Sequence, residues 1–130
     1  MELLDGPGAR KRIAALAQVS TEGRFAVAFW GIGAGEDLNI LRLGSRAKVL
    51  CNLATGGTNP REIANLRNAG VRVLQSDDLH AKVYLFPGGA VIGSSNASAN
   101  GLSLQGAECA GWNEANVFTA DPGFLAGLES

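Results

Sequence analysis

Three short apolar bursts constrain this chain more than any other feature: residues 24–30 (RFAVAFW), 47–53 (AKVLCNL) and 80–86 (HAKVYLF). The first and third are rich in β-branched or aromatic residues and are closed by Gly31 and Pro87, and the second is equally short and apolar, which is how strands buried in a sheet read. After the third, Pro87-Gly88-Gly89 predicts a turn and residues 90–93 (AVIG) a returning strand. Residues 71–74 and 113–119 (NEANVFT) read as further strands. Pro7-Gly8 opens a helix that carries Ile13, Leu16, Ala17 and Val19 towards Gly23; residues 38–43 suggest a short helix, and Asp121-Pro122 starts a closing one. The best punctuated helix has Asn59 to cap it, Pro60 at its first position and Gly70 to end it. Ile63, Leu66 and Ala69 repeat along its inner side, with Arg61, Glu62, Arg67 and Asn68 outside. Strands interleaved with helices, plus a hairpin, predict an α/β fold with a mixed sheet flanked by helices.

Length and composition narrow the class. At 130 residues and 13.4 kDa the chain is read as one domain spanning 1–130. Its 18 glycines are about twice the usual share of about 7%. They follow no period, so collagen and coiled coil are excluded. No run reaches the roughly 18 apolar residues of a spanning helix, and Met1 to Arg12 is polar where a secretory signal would be apolar. Cys51 and Cys109 are too few for a disulfide framework or a four-ligand zinc site. These features predict a soluble, cytoplasmic protein without a membrane partner. The closing helix stops as it begins, which hints at truncation, and 130 residues leave little room for sequence readout, so a separate recognition domain would not be surprising. Net charge is −1, unlike a general nucleic-acid coat. All eleven Lys and Arg, however, lie in residues 1–82 against eight acids, while residues 83–130 hold four acids and no base. A polyanion must therefore meet the first two-thirds of the chain.

The chemistry-bearing stretch is His80-Ala81-Lys82, a hairpin, and Gly93-Ser94-Ser95-Asn96. Residues two apart on a strand share a face, so His80 and Lys82 point together, and the returning strand brings Ser94 and Asn96 beside them. An imidazole, an ammonium, a hydroxyl and an amide at one strand end suit a tetrahedral phosphate, with one nucleophile and several donors for its oxygens.

H-x-K followed by G-S-x-N resembles the half-site of the phospholipase D superfamily, whose usual pattern is H-x-K-x4-D then G-S-x-N. V-Y-L-F after the lysine and N-E-A-N-V-F in the closing strand match as well, over roughly residues 24–125. Two departures stand out: Pro87 occupies the position of the family's aspartate, and the hairpin is one residue shorter. Members acting on DNA often lack that aspartate, so the departure counts against phospholipid turnover more than against catalysis.

The resemblance implies a phospholipase D-like half-domain that works without metal or cofactor. His80 would attack phosphorus and form a phosphohistidine. Lys82 and Asn96 would hold the non-bridging oxygens, with Ser94 assisting. Glu114 is the first choice for the carboxylate that orients the imidazole, and Glu108 is the alternate. The leaving oxygen needs a second, protonated histidine, and His80 is the chain's one histidine. The resemblance therefore implies a homodimer with a shared site, as in the family's single-half-site nucleases and its metal-independent restriction endonuclease. A nuclease acting on DNA, in restriction or defence, is the first expectation. A phospholipid hydrolase or phosphatidyl transferase is the second, and a dimeric binding module that has lost turnover is the third.

Other features read more plainly. Gly31 to Gly35 lacks the spacing and the lysine of a phosphate loop and reads as close packing beside the site. Arg10-Lys11-Arg12 reads as a solvated helix face. Asp77-Asp78 reads as a turn rather than a metal pair, Cys51 as a core residue, and Trp30 and Trp112 as packing rather than base-stacking platforms.

Overall fold

The computed structural model describes residues 1–54, 57–79, 82–93 and 115–129. Their strands are β1 (Glu2–Leu4), β2 (Gly23–Val27), β3 (Ala47–Cys51), β4 (Arg72–Gln75), β5 (Lys82–Phe86), β6 (Gly89–Gly93) and β7 (Asn116–Thr119). They form one mixed sheet in the order β1-β7-β6-β5-β2-β3-β4. β2, β3 and β4 run parallel; β5 and β6 are antiparallel, as are β6 and β7, and β5 joins antiparallel to β2. Helices α1 (Gly6–Val19), α2 (Ala34–Asp37) and α3 (Pro60–Asn68), with a 3-10 turn at Leu41–Arg46, connect the first strands, and α4 (Pro122–Glu129) follows the last.

The core lies on one face of the sheet. Phe25 and Val27 of β2, Val49 and Cys51 of β3, and Tyr84 and Phe86 of β5 pack there against Ile13 and Ala17 of α1 and Leu66 of α3. Phe25 sits at the centre, its ring 5.3 Å from Phe86 and 6.5 Å from Trp30, both edge-on, the geometry that aromatic quadrupoles favour. The alternate residues Arg24, Ala26, Lys48, Leu50, Val83 and Leu85 line the other face, where Leu128 of α4 reaches them.

Local sequence accounts for the best-formed helices. The Asp5 carboxylate caps α1 by accepting from the Gly8 N–H at 2.7 Å. The Asn59 side chain caps α3 through the Arg61 N–H at 2.9 Å, Pro60 takes the first position, and Gly70 leaves the helix with φ +95°.

Several expectations need correction. The short helix expected at 38–43 is replaced by two turns on either side, α2 and the 3-10 segment, because Asn39 with φ 62° breaks the helical path between them. Glu62, placed outside α3 by its polarity, is fully buried; its carboxylate has found backbone donors, described below. The polar opening segment also holds a strand: Leu4 of β1 enters the core while Leu3 stays 75% exposed. Arg12 is more than a solvated cation. It pairs with Glu2 at 2.8 Å and lies over the Phe118 ring of β7 at 4.4 Å, while Lys11 is exposed.

Candidate active site

One row of the sheet collects the ends of five strands. Val27, last in β2, pairs with Lys82, first in β5; Gly93, last in β6, pairs with Asn116, first in β7; and Asn116 pairs with Leu4, last in β1. The register Val83↔Ile92 brings the start of β5 beside the end of β6, so Lys82 and Gly93 stand at a common rim. This rim is the carboxyl end of the parallel strands β2 and β3, the end at which open α/β sheets bind ligands. Lys82 shares its face with Tyr84 and Phe86 but stands at the strand's edge, half-buried, its charge at the rim rather than in the core.

Gly93 is dictated by packing. A Cβ there would fall 2.5 Å from the Ala115 carbonyl oxygen and 2.7 Å from the Asn116 Cα, both backbone atoms that β7 cannot withdraw while it stays paired. The absence of a side chain lets β7 close against β6 where the two strands define the rim.

Behind the rim, buried polar side chains tie loop to loop. Asn52, directly after β3, donates from Nδ2 to the carbonyl oxygens of Asp77 and Leu79 at 3.0 and 3.3 Å, and its Oδ1 accepts from the Ala54 N–H. The Ser76 N–H donates to the Cys51 carbonyl at 2.9 Å. Residues 76–79, which lead towards position 80, are thereby fastened to the end of β3. Thr58 accepts from the Trp30 N–H and donates to the Ala28 carbonyl, while the Asn59 N–H donates to the Trp30 carbonyl. Gly57 allows that approach, since a Cβ would lie 2.4 Å from the Phe29 ring.

Glu62 explains the glycine-rich segment. The Gly33 N–H donates to its Oε1 at 2.8 Å and the Gly35 N–H to its Oε2 at 2.7 Å, with the Asn65 amide adding a third contact at 3.2 Å. A Cβ on Gly35 would meet Glu62, Leu41 and Leu66 below 3.0 Å. The donors that a phosphate would need are therefore occupied by the protein's own carboxylate, and the segment is close packing.

Of the residues singled out in the sequence, Lys82 is at the rim. His80, Ser94, Asn96, Glu114 and the alternate Glu108 lie outside the described residues, as does Trp112. Trp30 is fully buried, its indole N–H donating to the Val27 carbonyl, so it packs. Asp77 and Asp78 are exposed in the turn before position 80, and Asp77 accepts from the Gln75 amide. Asn52 and Glu62 were not foreseen as parts of the site's frame. An asparagine after an apolar strand reads as a chain break, and nothing local reveals carbonyls that belong to a loop some 25 residues away.

No family model and no curated protein matches the sequence. Solved structures do. NucT from Helicobacter pylori superposes with a TM-score of 0.73 at 12% identity, over 98% of this chain and 92% of that one. Nuc from Salmonella typhimurium, a phospholipase D family member, gives 0.66 at 16% identity over 98% and 88%. TrmBL2, an archaeal chromatin protein with a novel mode of DNA binding, gives 0.61 at 10% identity over 99% of this chain and 49% of its own. With the seven-stranded mixed sheet and its helices in place, the chain has the phospholipase D fold.

Proposed function

We propose that the chain is a phosphodiesterase of the phospholipase D superfamily: a metal-independent nuclease acting on DNA as a homodimer. The observation that carries this reading is the shared rim of β5 and β6. Lys82 is the lysine of H-x-K and Gly93 the glycine of G-S-S-N, and the two stand together at the ligand-binding end of a fold also seen in Nuc.

In this reading His80 attacks phosphorus and the P–O bond to the leaving strand breaks, giving a phosphohistidine. The departing oxygen takes its proton from the second histidine, supplied by the other copy. That histidine then accepts a proton from water as the water attacks phosphorus, which releases the monophosphate and frees His80. Lys82 and Asn96 stabilise the charge on the non-bridging oxygens, Ser94 adds a donor, and Glu114 or Glu108 orients the imidazole. Lys and His⁺ supply positive charge that a metal ion supplies in other phosphodiesterases.

DNA cleavage in excess EDTA, with the dimer followed by light scattering, tests the proposal. Cleavage should survive chelation and fall roughly 10³-fold or more in His80→Ala. Cleavage abolished by EDTA, or undiminished in the variant, overturns it. A second reading is a DNA-binding module without turnover, supported by Pro87 in place of the family's aspartate and by the likeness to TrmBL2. It predicts a dimer that retains DNA and leaves it whole. Turnover of phospholipid but not DNA would assign the same chemistry to a lipid substrate.

A further inference from the structure

On the face of the sheet away from α1 and α3, three cations stand in one row. Arg24 of β2 pairs with Lys48 of β3, and Lys48 pairs with Arg72 of β4, so their side chains leave adjacent strands in register and on one side. All three are exposed. Strands lie about 4.8 Å apart, so the row spans about 10 Å. Arg46 borders the same surface depression, whose acid is Glu22. Among the described residues the ion pair is Arg12 with Glu2, at the opposite edge of the sheet; none of the four cations has an acidic partner. Like charges directly opposite one another weaken strand pairing. The fold therefore bears this row at a cost, and the row calls for a ligand rather than a structural role.

We infer that the Arg24–Lys48–Arg72 row is a second nucleic-acid contact, an exosite that takes the phosphodiester backbone without reading its sequence. The backbone repeats one anion per nucleotide, and the long side chains of the two flanking arginines extend the reach of the row beyond its length of about 10 Å to about three of them. Arginine supplies two of the three groups, and its planar fork grips phosphate oxygens in pairs. One step further along the strands, Ala26 and Leu50 line a depression together with Leu128 of α4, and exposed Leu74 offers a base edge no hydrogen bond.

The row belongs to a different place from the rim. Arg24 precedes Val27, the partner of Lys82, by three positions, about 10 Å along the strand. It also lies on the opposite face. A segment bound there is held apart from the one presented to Lys82. The choice of nucleic acid over an acidic protein rests on the nuclease reading; the polyanion chemistry itself does not.

The test compares two triple variants in a His80→Ala background, so that binding is read without cleavage: R24Q/K48Q/R72Q, and K11Q/R61Q/R67Q, which removes the same charge from α1 and α3. Binding of fluorescein-labelled single-stranded and duplex DNA is followed against salt. The row variant should bind about tenfold or more weakly near 0.1 M salt, and its log–log salt slope should shrink by about 2 to 3, one phosphate per lost cation. The helix variant should keep most of the slope. An unchanged slope in the row variant, or an equal loss in both, overturns the exosite. Competition by poly-glutamate as strong as by DNA overturns it too, assigning the row to an acidic protein. Cleavage by the wild-type chain separates the two readings. If the chain cuts DNA and the slope is unchanged, the exosite fails alone; if it cuts nothing and the slope shrinks, the nuclease fails alone.

Discussion

The two ends of the sheet are built on opposite principles. At the carboxyl end of β2 and β3, Asn52, Thr58 and Glu62 are buried, and each of the three satisfies backbone groups of a different segment. At the amino end, Arg24, Lys48 and Arg72 are exposed and unpaired among the described residues. Polar atoms spent on the protein's own backbone fix loops to within hydrogen-bond tolerance, which a site for chemistry requires. Cations displayed to solvent fix nothing, but they attract a polyanion over a Debye length of about 10 Å. The first end is made to hold atoms in place, the second to gather charge.

If that contrast holds, the two ends should respond differently to substitution, and the largest effect belongs to Glu62. Glu62→Leu preserves bulk but leaves the half-buried Gly33 N–H and the buried Gly35 N–H without an acceptor. Each such donor costs about 1–3 kcal/mol, so urea unfolding should show a loss of about 3 kcal/mol or more. Glu62→Gln, whose amide oxygen can still take one N–H, should lose less. A loss under about 1 kcal/mol for Glu62→Leu would mean that the segment re-pairs with water, and the carboxyl end would no longer count as a rigid frame.

Asn52 sharpens the comparison, because it links the frame to the chemistry. Asn52→Ala removes both bonds to residues 77–79 and should cost about 1–3 kcal/mol. On the proposed nuclease reading it is a positioning residue, and its loss should also lower kcat about tenfold with little change in KM, since the segment it fastens leads to position 80. Asn52→Asp keeps the acceptor for the Ala54 N–H but lacks the amide donor, and it should show the same kcat loss. A variant that is destabilised yet turns over normally at a temperature where it is folded would reduce Asn52 to a structural role.

What could be read beforehand divides along the same line. α3 was legible from Asn59, Pro60 and Gly70, and the hairpin from Pro87-Gly88, because their signals are local conformational preferences. β1 was not, since three residues at a sheet edge show no period. Glu62 read as outward because polarity is a poor guide when a carboxylate meets buried N–H groups. The basic row was invisible for a different reason: Arg24, Lys48 and Arg72 become neighbours only through strand register, a tertiary property. The motif residues themselves could be picked out on chemistry, yet of them the described residues place only Lys82 and Gly93 at the rim.

The smallest effect expected is at Cys51, last in β3 and beside Asn52. Its thiol is fully buried and contacts the Leu74 carbonyl at 3.6 Å, and burial pushes its pKa above the ordinary value of 9.0. The thiolate is the reactive form, so in a Cys109→Ser background iodoacetamide should label native Cys51 far more slowly than the urea-unfolded chain at the same pH. The folded state holds the proton more tightly than the unfolded one. This contribution to stability is therefore complete below the ordinary thiol pKa and is lost as the pH rises through the raised value. The unfolding midpoint should fall slightly more between pH 8 and pH 10 for Cys51 than for Cys51→Ala, about the size of a surface substitution. Native labelling as fast as in urea would show that the end of β3 opens freely. Asn52 could then not hold residues 76–79 in register, and the contrast between a fixed carboxyl end and an open amino end would collapse at its base.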